Sequence, residues 1–224
     1  MTDKEYYEFV RPYRDAMQML LTRLDVLNHS LYETSVSQPV HNIQERIKEK
    51  ASLEEKLARK GKEPTVMNAK DYLKDIAGIR VICYFVNDIY NLVGILKRQT
   101  DLLIIQERDY IASPKPNGYR SYHVIVGVPV YCLDGMEYFP VEVQFRTMSM
   151  DFWASMEHRV SYKKNVENRE QLRAELKVYA DKLEEIEASF ECYSEHLHQG
   201  GGAAAAAQTQ AAEAKEPAVY GVKL

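Results

Sequence analysis

The chain is short of cysteine. Its 224 residues hold three, Cys83, Cys132 and Cys192, widely spaced and without a CxxC pair. That argues against a disulfide-stapled domain and for reduced, structural thiols in a cytoplasmic protein. Long apolar runs are also missing, so no segment is expected to span a bilayer. The start, MTDKEYYEFV, lacks the basic-then-apolar pattern of a secretory signal. Basic charge is not in excess: 29 Lys and Arg stand against 33 Asp and Glu, a net charge of -4. A protein that lives on bulk nucleic acid usually shows the opposite balance, although a local basic patch remains open. No internal repeat is visible. What is present is ordinary globular composition, 46% hydrophobic and 28% charged, enough for a real core.

Two apolar stripes frame the chain. Tyr6, Val10, Tyr13, Met17, Leu20, Leu24, Leu27 and Leu31 alternate spacings of four and three, which predicts a long amphipathic helix over 5–33. Leu172, Leu176, Tyr179, Leu183, Ile186, Phe190, Tyr193 and Leu197 repeat the pattern and predict a second over 167–198. Such seams pack on their own domain, build a homo-oligomer, or do both. Between them lies a mixed core at about 40–164. Residues 40–60 read as a helix, with Ile43, Ile47 and Leu57 on its apolar side. GIRVICYF at 78–85 reads as a buried strand, 87–99 as a helix and 101–111 as a strand. SPKPNGY at 113–119 is a loop. A hairpin turns at Asp134-Gly135, and a helix follows over 149–164. The class is α/β or α+β, with a mixed sheet flanked by helices. One domain over 1–198 is expected, with 199–224 a low-complexity tail, disordered or weakly helical.

Five segments carry polar groups that suit a nucleotide, and each also fits a plain structural role. Lys48, Ser52 and Lys56 are four apart, near Arg46, so a helix would align two ammonium groups and a hydroxyl for a polyphosphate. The surrounding glutamates equally suit a solvated face. In DIAGIRV, Asp75 precedes a buried strand, where a carboxylate can bind Mg²⁺, and Arg80 offers a planar guanidinium; an Asp–Arg pair closing a strand end is the alternative. The loop SPKPNGYRSYH presents Lys115, Tyr119, Arg120 and His123, aromatic and cationic groups that suit a base and its phosphates. In VEVQFRT, alternation puts Glu142, Gln144 and Arg146 on one face, where a carboxylate can bind metal and take a proton, or simply face solvent. In MDFWASMEH, Asp151, Ser155 and His158 fall near one helical face, while Phe152 and Trp153 are expected to fix the helix to the sheet.

Taken in order, RIKxxxSxxxK, DIAGIRV, KPNGYRSYH and VEVQFRTxxMDFWASMEH closely resemble the synthetase domain of the Rel-type alarmone enzymes. The short length resembles the small, single-domain alarmone synthetases. The resemblance covers about residues 5–195. It implies a nucleotidyltransferase-like fold and transfer of the β,γ-pyrophosphate of ATP to the 3′-hydroxyl of GDP or GTP, releasing AMP and giving ppGpp or pppGpp. Carried over by motif position, Arg46 and Arg80 would sandwich the adenine, and Lys48, Ser52 and Lys56 would hold ATP phosphates. Asp75 and Glu142 would bind Mg²⁺, with Glu142 also activating the 3′-hydroxyl. Tyr119 would stack on the guanine, with Lys115, Asn117 and His123 near the acceptor. Gln144 and His158 would support the site. Some family members form tetramers through their terminal helices, and some are regulated by pppGpp or single-stranded RNA. A toxin-type relative that pyrophosphorylates the 3′ end of tRNA is the alternative. No hydrolase domain with an HD motif is expected.

Overall fold

A computed structural model of the chain describes residues 1–34, 38–161 and 169–213. It contains α1 (Asp3–Thr34), β1 (Val40–Ile47), α2 (Lys50–Arg59), α3 (Val66–Tyr72), β2 (Ala77–Cys83), α4 (Val86–Lys97), β3 (Leu103–Asp109), β4 (Tyr122–Cys132), β5 (Gly135–Thr147), α5 (Met148–Ser161) and α6 (Arg169–Glu213). The strands form one sheet in the order β1-β2-β5-β4-β3. The β2–β5 pair is parallel and the other pairs are antiparallel, so the sheet is mixed.

The strands alternate. Val141, Val143 and Phe145 of β5, Ile79 and Val81 of β2, and Val124 and Val126 of β4 are buried in the main core. Helix α1 contributes Val10, Tyr13, Ala16, Met17, Leu20 and Leu24 to the same core, and Tyr13 meets Phe139 edge-on at 5.2 Å. Helix α4 adds Ile89, Leu92, Val93 and Leu96. The first heptad seam is therefore spent on the chain's own sheet. The opposite sheet face carries the polar residues of the motifs.

Residues 40–60 are not one helix. β1 occupies Val40–Ile47 and only Lys50–Arg59 is helical. Ile43 and Ile47, four apart, fit a helical stripe, but four is also twice the strand period. Both lie against the core, with Glu45 between them accepting from Gln18 of α1 at 3.0 Å. Antiparallel pairing with β2 decides the outcome over the weak strand propensity of His41-Asn42 and Gln44-Glu45-Arg46.

Helix α5 is fixed by Trp153 rather than by both aromatics. Trp153 packs on Leu176 and Ala180 of α6 and donates from Nε1 to the Leu176 carbonyl at 2.8 Å, while Phe152 is exposed. The chain divides into two compact units, Met1–Leu183 and Glu184–Leu224. In the second, α6 continues through the Gly- and Ala-rich stretch to Glu213, and Ile186, Phe190 and Tyr193 are exposed. Residues 162–168, expected to end one helix and begin the next, and 214–224 of the expected tail lie outside the described residues. No described helix is long and apolar enough to cross a membrane.

Candidate active site

The polar sheet face is organised by strand register. Gln44 of β1 pairs with Arg80 of β2, Arg80 with Gln144 of β5, Gln144 with His123 of β4, and His123 with Arg108 of β3. The next row runs Arg46, Gly78, Glu142 and Ile125. Strand alternation keeps both rows on one face. Gly78, with no side chain, leaves the floor open between Arg46 and Glu142.

Asp75 sits just before β2. Its Oδ2 takes Lys56 Nζ at 2.6 Å and Lys48 Nζ at 3.0 Å. Lys48 is not on α2. It lies in the link after β1, held by a bond from its own N–H to the Ile76 carbonyl at 2.8 Å and by the Tyr6 hydroxyl on its carbonyl at 3.0 Å. Lys48 and Lys56 therefore converge through a strand end and a helix rather than along one helix. Ser52 is exposed one turn before Lys56. Burial pushes the Asp75 carboxyl up, but the Lys56 and Lys48 hydrogen bonds outweigh it and hold the group below its ordinary value. Its second oxygen, Oδ1, is buried and meets no hydrogen-bond partner.

Glu142 is likewise mostly buried, its side chain 20% exposed. Burial pushes its carboxyl up, His123 and Gln144 pull it down, and the net direction is down; the Asp75 charge works against them. Gln144 Nε2 donates to Glu142 Oε2 at 3.0 Å, and His123 Nδ1 faces Oε1 at 3.7 Å. Two carboxylates thus stay ionised within electrostatic reach of each other, one with an unused buried oxygen. Hard oxygen donors of this kind suit Mg²⁺ completed by phosphate and water.

Tyr119 stands at the His123 end of this face. Gly118 before it has φ +89°, a conformation glycine tolerates. Asn117 Oδ1 accepts from the Tyr119 N–H at 3.2 Å, so Asn117 shapes the loop. Lys115 Nζ lies 4.6 Å from the Tyr119 ring centroid. The hydroxyl contacts His123 Nε2 at 2.8 Å and Arg146 NH2 at 2.9 Å. An open cleft of about 500 Å³ runs beside Arg46, Arg80, Tyr119, Arg146, Ser155 and His158. Arg80 and Arg146 share Asp151 Oδ1, at 3.3 and 3.0 Å. With Arg46, three guanidiniums line this cleft beside Asp151 and Glu157, an excess of positive charge suited to a nucleotide.

The motif region reads, by family comparison, as a region found in RelA/SpoT proteins, matched over residues 45–167. The chain belongs to the RelA/SpoT family. It is 43% identical to the GTP pyrophosphokinase YwaC of Bacillus subtilis over 169 residues, covering 75% of this chain and 80% of that protein. To the GTP pyrophosphokinase YjbM of the same organism it is 38% identical over 164 residues, covering 73% and 76%. The structure resembles the small alarmone synthetase 1 of Bacillus subtilis bound to its product pppGpp, with TM-score 0.76, 32% identity, and 88% and 100% of the two chains covered. The small alarmone synthetase 2 of that organism gives 0.75 and 36%, covering 86% and 99%.

Within this RelA/SpoT region lie all the candidate site residues named from the sequence. Arg46, Arg80, Glu142, Gln144 and His123 share the sheet face, Lys48, Lys56 and Asp75 form one cluster, and His158 lines the cleft from α5. Arg120 departs from expectation: it is buried beside Gly118, Met150 and Trp153, away from the cleft. Arg146 and Asp151 were visible in the strand and helix periods, but nothing local showed that they would pair.

Proposed function

We propose that this chain is a (p)ppGpp synthetase, moving the β,γ-pyrophosphate of ATP onto the 3′-hydroxyl of GDP or GTP and releasing AMP. The observation that carries the reading is Asp75, with two lysines on one oxygen and nothing on the other, electrostatically coupled to Glu142 across the sheet face. Similarity to two GTP pyrophosphokinases, and to synthetase structures bound to pppGpp and to AMPCPP, supports it.

Pyrophosphoryl transfer asks for positioning and charge neutralisation. Arg46 and Arg80, projecting from neighbouring strands, would hold the adenine between guanidinium planes. Lys48, Lys56 and Ser52 would meet the ATP phosphates as point charges and a neutral donor. Asp75 and Glu142 would hold Mg²⁺, which supplies neutralisation of the developing phosphate charge. Glu142, kept ionised, would take the proton of the acceptor hydroxyl. Tyr119 would stack on the guanine, with Lys115, His123 and Gln144 beside the acceptor, Asn117 shaping the loop and His158 at the rim. We further propose self-association as a homo-oligomer. Because α1 spends its seam on the sheet, the exposed Ile186, Phe190 and Tyr193 of α6 are the available stripe. A cytoplasmic setting, with its nucleotides and free thiols, fits the three unpaired cysteines.

The test is direct. The purified chain is incubated with ATP labelled in the β or γ phosphate, Mg²⁺, and GDP, GTP or deacylated tRNA. Label should enter ppGpp and pppGpp, stop with EDTA, and return with excess Mg²⁺. Label entering tRNA alone, or no acceptor, overturns the reading.

A further inference from the structure

At the Tyr119 end of the site, polar side chains form a ring joined by hydrogen bonds at every step but one, where His123 faces Glu142 at 3.7 Å. One nitrogen of Arg146, NH2, contacts both the Tyr119 hydroxyl at 2.9 Å and Gln144 Oε1 at 3.0 Å. Tyr119 leads to His123 Nε2 at 2.8 Å, and His123 Nδ1 faces Glu142 Oε1 at 3.7 Å. Gln144 leads by its other end, Nε2, to Glu142 Oε2 at 3.0 Å. Two arms therefore run from one guanidinium nitrogen to the two oxygens of one carboxylate.

Most members of this ring are ambiguous as donors. A tyrosine hydroxyl can donate or accept, a glutamine amide can be turned either way, and a neutral imidazole has two tautomers. Arginine is not ambiguous: it only donates. We propose that Arg146 is a positioning residue whose donor-only guanidinium sets the direction of every bond in the ring, so that both oxygens of Glu142 face donors. This rests on the role of Glu142 given above. Along one arm, Gln144 must turn its oxygen to Arg146, which aims its NH₂ at Glu142 Oε2. Along the other, the Tyr119 oxygen accepts from Arg146 and gives its own proton to His123 Nε2. A neutral His123 must then carry its proton on Nδ1, facing Glu142 Oε1.

Arg146 is itself held for this task. Its side chain is 7% exposed, and NH1 donates to Asp151 Oδ1 at 3.0 Å. It lies over the Tyr119 ring as well, 5.3 Å from the centroid. Only NH2, with its two hydrogens, is given to the two arms, one hydrogen to each. The arrangement aims Glu142 through Gln144 on one arm and through Tyr119 and His123 on the other, with Arg146 itself not bonded to the carboxylate.

The His123 proton is a direct readout that needs no turnover. An unconstrained neutral imidazole favours the proton on Nε2, so Nδ1–H here would be imposed by its partners. Imidazole ¹⁵N spectra are recorded on the full chain without nucleotide, at alkaline pH, for wild type, Arg146→Gln and Tyr119→Phe. Glutamine keeps a hydrogen-bonding group but is no longer donor-only; phenylalanine keeps the ring and cuts one arm. Wild type should show Nδ1–H, and both variants should shift towards Nε2–H. In steady-state assays kcat should fall about 10- to 100-fold, part of the 10²–10⁴ a general base contributes, while the KM for ATP stays unchanged. If Arg146→Gln does not fold, Tyr119→Phe carries the test alone. An Nε2–H tautomer in wild type, or an unchanged tautomer in the folded variants, overturns the proposal. A wild-type chain with Nδ1–H and no pyrophosphoryl transfer instead sinks the function assigned above and leaves the ring intact.

Discussion

Gly118→Ala should destabilise the protein by an amount the local geometry sets. Gly118 has φ +89°, and a Cβ built there would lie 2.6 Å from the Ala180 Cβ and 3.1 Å from the Lys177 Cα. Two costs combine. A non-glycine residue held at positive φ costs about 1–3 kcal/mol. Forcing a methyl into a packed helix surface adds about 1–3 kcal/mol. Together they give roughly 2–6 kcal/mol, a large share of the 5–15 kcal/mol typical of a domain. For a chain of this size about 2–4 °C is lost per kcal/mol, so Tm should fall by roughly 4–24 °C. Calorimetry on wild type, Gly118→Ala, Ala180→Gly and the double variant separates the terms. Removing the Ala180 methyl relieves the closest contact but not the φ strain, so the double variant should recover part of the loss, with a coupling above about 0.5 kcal/mol. A single variant melting within 2 °C of wild type, on the order of experimental scatter, or strict additivity in the cycle, refutes the reasoning.

Glu142→Gln should keep the fold and ATP binding but lower kcat by about 10²–10⁴, the general-base contribution; near-normal turnover would remove Glu142 from the mechanism. Acid titration tests the Asp75 cluster. The folded Asp75 pKa lies below its ordinary value, so its lysine bonds contribute stability above that value and lose it as pH falls through the lowered pKa. In the double variant Lys48→Met/Lys56→Met burial dominates, the pKa rises above ordinary, and this contribution to stability should instead grow as pH falls; urea unfolding across the acid range reads the reversed slope. Trp153, the single tryptophan, has its ring centroid 6.4 Å from that of Tyr119. GDP binding at Tyr119 should change its fluorescence, and Tyr119→Ala should abolish the change.

Much of the site could be read from sequence because its residues lie at fixed short spacings inside four motifs. Glu142 and Gln144 share a face whatever the fold, given a strand. The loop between two prolines and Gly118 had to be a loop. What escaped depended on contacts between distant segments. The period of Ile43 and Ile47 serves a strand as well as a helix, and only β2, more than thirty residues on, decides between them. The pairing of Arg80 and Arg146 with Asp151 joins two strands to a helix. Arg120 sits one residue from Tyr119 yet lines a different pocket, in the irregular link just before β4.

The recognised family region, residues 45–167, contains the chemistry but not the parts that make it stand. Before it, α1 lays Tyr13, Met17, Leu20 and Leu24 under the sheet; after it, Leu176 and Ala180 of α6 support Trp153 and the turn at Gly118. A fragment cut at the motif borders would retain every group proposed to face the nucleotides while exposing the underside of its own sheet to water. The boundary of recognisable sequence and the boundary of an independently folding piece are therefore different lines, and truncation or domain grafting should follow the second.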